Sequence, residues 1–332
     1  MSKKTRYFVL VSGAILTLGL GTGLVASYMG LPVSLLSSAA GPNELQYVPQ
    51  DAAVVAYANV REVMNSEFRQ RFRAMEPPSA ERDEFEQKTG LKIDRDIDSV
   101  VAAFMPGPDG LAGDNPERSG VVLARGRFQA AQLEVLALQH GGVAEDYKGK
   151  RLLTHLERDN SHPMAVGFVE SDLVALGGIA AVKRAIDAGA DNRNVVSNNE
   201  MMRLVAELDS SNAWAVGRFD ALANRAKLPS EVQAQLPPLS WFSAAGHVNG
   251  GVSGVFKAEA LDEASAQNLR DVLRGFLAMA KLQAGSRPGM QQMVDSLQLS
   301  GEGKVVAMSF NIPSEFFDAL EALAKQKQLN GR

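Results

Sequence analysis

From Tyr7 to Asn43 the chain carries no charge, and the 25 positions of residues 7–31, opening at Tyr7 and closing at Leu31, are mostly Val, Leu, Ile, Ala, Gly and Phe. At 1.5 Å per residue a helix of that length crosses a hydrocarbon core of about 30 Å with some tilt. Pro32 ends it. Beyond residue 45 the pattern changes. Short apolar runs with the spacing of strands lie at 54–60, 99–105, 120–128, 151–156, 164–169 and 173–177, and stretches of helical spacing lie between them at 63–72, 129–139 and 179–188. Pro77 and Pro78 stop the first of these helices.

The grammar then repeats. Val54, Val55, Ala56, Tyr57 and Ala58 align with Ala213, Trp214, Ala215, Val216 and Gly217. Two further strand-then-helix pairs follow in the same order: 121–128 corresponds to 252–258, and 173–177 to 305–310. Shared order with low identity predicts two copies of one module, with chance matching of short apolar strands as the competing explanation. The most regular helical pattern spans 261–284, where Leu269, Val272, Leu273, Phe276, Leu277 and Ala280 form one apolar stripe that is expected to pack on a sheet. The predicted fold class is α+β: an N-terminal transmembrane helix followed by two tandem modules of mostly antiparallel sheet packed with helices. The boundaries are a cytoplasmic tip and span at 1–33, a linker at 34–46, a first module at 47–195 and a second at 196–330.

Charge gives the span a direction. Lys3, Lys4 and Arg6 precede it and the first charges after it, Glu44 and Asp51, are acidic. The positive-inside rule therefore places the N-terminus in the cytoplasm and the body in the periplasm or outside, tethered to the cytoplasmic membrane. A cleaved signal peptide is the alternative, with small residues 37–40 as a processing site, but a typical apolar region of a signal is only about 7 to 15 residues. Either way the body is exported. Gly19 and Gly23 form a small-xxx-small pair that permits close helix packing, although Gly is common in membrane helices without that role.

Composition excludes several chemistries. With no Cys there is no disulfide scaffold, thiolate nucleophile, Cys-ligated zinc or iron-sulfur cluster. The formal charge is −4, and without a basic run the chain lacks the footprint of a nucleic-acid binder. Asp94, Asp96 and Asp98 have the spacing that opens a calcium loop, but the positions that need Gly and Glu hold Ser99 and Met105. The plainer reading is a turn whose Asp side chains cap backbone N–H groups, so no metal site is predicted. His140, His155, His162 and His247 form no ligand-spaced pair. Gly251 to Val255 lacks the last Gly of a nucleophile elbow, and Gly301 and Gly303 flank a hairpin turn in a segment too short for a phosphate loop.

Residues 48–52, Val-Pro-Gln-Asp-Ala, ahead of a strand, and residues 85–100, ahead of another, resemble those of uncharacterised bacterial single-span envelope proteins with exported α+β modules. The resemblance covers about residues 45–190 and implies location and fold, with no catalytic residue to carry over. Two functional readings follow. The first is a non-catalytic binding or envelope-assembly protein, whose partners are the bilayer through its helix and an envelope protein, lipid or wall component. The alternative is an exported hydrolase whose site assembles only in three dimensions. No cofactor is expected under either reading, and the oligomeric state is left open.

Overall fold

In the computed structural model, the described residues are 41–73, 80–106, 120–154, 164–208, 211–223, 237–249, 251–284, 291 and 294–312. The expected span with Tyr7, Gly19, Gly23 and Leu31 lies outside them. Among the described residues no helix is long and apolar enough to cross a membrane.

The body is α+β and its sheet is antiparallel throughout. The strands are β1 Val54–Ala58, β2 Ile97–Phe104, β3 Gly120–Gly126, β4 Val143–Tyr147, β5 Lys150–Thr154, β6 Met164–Glu170 and β7 Leu173–Gly178. They continue with β8 Ala213–Arg218, β9 Leu239–Val248, β10 Val252–Ala260, β11 Gln298–Ser300 and β12 Val305–Ile312. Between them run α1 Val60–Asn65, α2 Glu67–Arg73, α3 Ala80–Thr89, α4 Ile93–Asp96 and α5 Ala130–Gln139. Later come α6 Ile179–Asp191, α7 Asn199–Ala206, α8 Phe219–Ala223 and α9 Glu263–Ala284, with 3-10 turns at Asn43–Tyr47 and Val195–Ser197.

Among the described residues the twelve strands join one sheet in the order β11-β12-β10-β9-β8-β1-β2-β3-β7-β6-β5-β4. The segments on either side of residue 195 therefore share one sheet, joined where β1 pairs with β8. Outward from that seam the order is β1-β2-β3-β7-β6 in one direction and β8-β9-β10-β12-β11 in the other. β5 and β4 extend only the first half.

Alternation gives the sheet two unlike faces. One carries Val55, Val101, Leu123, Ala175 and Trp214, and it packs against Val182 and Ile186 of α6, Met201 and Val205 of α7, and Leu45 of the first 3-10 turn. Leu45 is fully buried and Glu44 nearly so, so the end of the segment drawn as linker packs as body. On the opposite face two smaller clusters lie toward the flanks. Val100, Ala124 and Val174 pack with Val60, Leu91 and Phe128, while Ala258 and Val306 pack with Ala266 and Leu269 of α9.

Local chemistry sets the helix ends. Asn59 caps α1 by accepting from the Glu62 N–H at 3.0 Å. Ser66 both closes α1, donating to the Val63 carbonyl at 2.6 Å, and opens α2, accepting from the Arg69 N–H at 3.2 Å. Gly301 and Gly303, at φ of +100° and +55°, turn β11 into β12. The stripe of α9 requires a correction. Its first turns are core, but Phe276 is 44% exposed and Met279 and Leu282 more so, because the residues of this 22-residue helix that pack with Ala258 and Val306 are Ala266, Leu269 and Leu273, in its first half.

Candidate functional site

Arg125 follows Val121 and Leu123 on the core face of β3, where alternation demands an inward side chain and burial demands that its charge be met. Three carboxylates meet it. Glu44 is brought in by the first 3-10 turn and accepts from Arg125 Nε at 2.6 Å, with a second bond from the Ser99 hydroxyl at 3.0 Å. Glu170 ends β6, where a register shift after Phe168 sets it opposite Leu173, and Asp172 lies in the turn to β7; they accept from Arg125 Nη1 at 3.0 and 2.8 Å. The Tyr47 hydroxyl donates to Glu170 at 2.9 Å, and its ring lies on Gly189 of α6, where any side chain would overlap it.

These contacts set the protonation of the cluster. Burial works against the charge on Arg125, yet the bonds it donates to Glu44, Asp172 and Glu170 outweigh it and hold its pKa above the ordinary value. Burial first, and then the bond to Glu170, push the Tyr47 phenol up to about 12.

On the other side of Asp172 opens a cleft of about 450 Å³. Leu91, Phe128 and Leu133 give it apolar walls; Thr89, Gln129 and Ser171 add neutral polar groups; Asp96, Arg127 and Asp172 supply charge. The elements fix these positions in different ways. Gly90 adopts φ +68° and turns α3 toward α4, which brings Thr89 and Leu91 to one rim. The end of β3 delivers Arg127 and Phe128, and the first turn of α5 delivers Gln129 and Leu133. Arg127 is bound to the Arg95 carbonyl and lies 3.4 Å from Asp96.

The aspartate triplet is separated by the fold. Asp96 accepts from the Lys92 N–H at 2.8 Å, whereas Asp98 is paired with Arg61. Among the described residues no group of three or more His, Cys, Asp or Glu is arranged to hold a metal. His140 is exposed and its Nδ1 meets the Leu136 carbonyl at 2.8 Å, while His247 lies on β9 in the other half. Neither lines the cleft, and His155 and His162 lie outside the described residues.

Sequence reasoning missed Glu44, Arg125, Glu170 and Asp172. One signal was available: an arginine at the inward position of a strand otherwise read as core. Its partners carry no such signal, because they are 45 to 81 residues away in sequence.

No family model matches the chain, and no curated protein matches it. A solved structure described as crystal form I of TP0453 is similar at 13% identity and a TM-score of 0.45, covering 84% of this chain and 96% of that one.

Proposed function

We propose that this chain is a protein of the bacterial envelope, held in the cytoplasmic membrane by residues 7–31 with its body on the far side, and that it acts by binding a partner without catalysing a reaction. The observation that carries the reading is the charge pattern, with Lys3, Lys4 and Arg6 before 25 uncharged, mostly apolar residues and the acidic Glu44 and Asp51 as the first charges after them. The cleft supports the non-catalytic part. Its carboxylates are engaged by arginines, and neither of its hydroxyls, on Thr89 and Ser171, shares the lining with a histidine or lysine that would activate it.

The body descends, in this reading, from a duplicated module. What supports it is the symmetry of strand order about the β1–β8 seam, together with the helices α5 and α9 that follow the third strand of each half. Protease added to spheroplasts tests the topology: the body should be digested while a small N-terminal piece stays in the membrane. Full protection of the body would reverse the orientation, and recovery of the intact chain in the cytosol would remove the tether.

A further inference from the structure

The cleft at the end of β3 has a charge imbalance that its own walls do not cancel. Asp96 on its wall is met by Arg127, but Asp172 shares the single cation Arg125 with Glu44 and Glu170, so this cluster of three carboxylates and one guanidinium carries an excess of two negative charges. Asp172 is where that excess meets the opening. Its Oδ2 is taken by Arg125 at 2.8 Å, yet its side chain remains 51% exposed and borders the cleft. The cation in the lining, Arg127, is already engaged by the Arg95 carbonyl and by Asp96.

Beside this carboxylate stand Phe128, Leu91 and Leu133. An apolar wall next to an under-compensated carboxylate suits one kind of ligand. Methylene groups cover the leucines, an ammonium reaches Asp172, and the aromatic ring adds its negative face to the attraction. An anion would meet the excess charge, and a neutral apolar ligand would leave Asp172 unused.

Resting on the binding reading above, we propose that this cleft takes an alkylammonium, the chemistry of a lysine side chain or a short diamine, with Asp172 as the charge partner and Phe128 as the apolar one. Saturation-transfer NMR on the full chain in nanodiscs tests it, with Nα-acetyl-lysine amide as probe and Nα-acetyl-norleucine amide as its uncharged counterpart. The lysine amide should show transfer to its side-chain methylenes, weakened in 0.5 M salt as about a 10 Å screening length at 0.1 M shortens. Asp172→Asn should weaken it about fivefold, in keeping with a half-exposed ion pair. Ser171→Lys, which places a competing cation at the rim beside Asp172 while leaving both carboxylates in place, should do the same. Cadaverine separates the sources. Equal transfer means that the ammonium on its chain is sufficient, and transfer from the acetylated amide alone means that the occupant is a peptide; either outcome supports the site. Equal binding of the norleucine amide, indifference to both substitutions, or no transfer at all would overturn it. Binding by a chain that fails to enter the bilayer would leave this inference standing and sink only the tether.

Discussion

Ala56 and Ala215, 159 residues apart, stand directly opposite one another at the seam between β1 and β8. The pairing is symmetric around them. The N–H of Asn59 donates to the Asn212 carbonyl at 2.7 Å, and the N–H of Arg218 donates to the Ala53 carbonyl at 2.8 Å, which is the same bond made from the other side. The two halves thus meet as an isologous pair would, each presenting its first strand to the other.

Trp214 is 2% exposed and stacks on Tyr57 of the other half, with ring centroids 5.6 Å apart. Trp214→Ala should cost about 3–5 kcal/mol, the usual loss for a buried aromatic. Because the pair spans the seam, urea unfolding should remain one transition with a lower midpoint. Separate transitions for the two halves would show that the seam does not couple them.

Removing Arg125 leaves Glu44 buried without its cation. Arg125→Met should therefore destabilise the chain by about 3–5 kcal/mol. Glu44→Gln should cost less, since the amide oxygen still accepts from Ser99 and Arg125 keeps Glu170 and Asp172. Chemical denaturation of the two variants side by side reads the difference.

Tyr47 links stability to alkaline pH. Its folded pKa, about 12, is above the ordinary value of 10.0, so the contribution is fully present below pH 10 and is lost as pH rises toward 12. Tyr47→Phe should flatten the loss of thermal stability between pH 10 and 12. In wild type, the ultraviolet titration of tyrosine should keep a component that ionises near pH 12.

Along α9, burial rather than spacing sets the cost of substitution. Leu269, 4% exposed, should lose about 2–5 kcal/mol on change to Ala. Leu282→Ala, at 83% exposure, should stay within about 0.5 kcal/mol of wild type. Phe276→Asp should leave the chain folded, and thermal unfolding checks all three.

The elements that the sequence made legible are those with a strong local pattern. β1, β3, β6 and β7 are runs of apolar residues, α6 has a clear buried stripe, and glycines mark the β11–β12 turn. β4 was not legible because Glu145 and Asp146 interrupt it; as an edge strand it needs only one partner, and its charges pair with Lys183 and Arg151. The exposure of Phe276 was hidden for the opposite reason, since a regular stripe does not tell how far the sheet extends beneath it.

By itself the sequence determined the strands and helices with a strong local pattern, the uncharged segment near the start and the absence of cysteine chemistry, because these depend on neighbouring residues alone. Tertiary structure decided that the halves share one sheet, that Glu44, Glu170 and Asp172 converge on Arg125, and that Asp96 turns to the Lys92 N–H while Asp98 pairs with Arg61. Those outcomes depend on register and on turns that join residues far apart in the chain, and strand pairing rather than local propensity selects them.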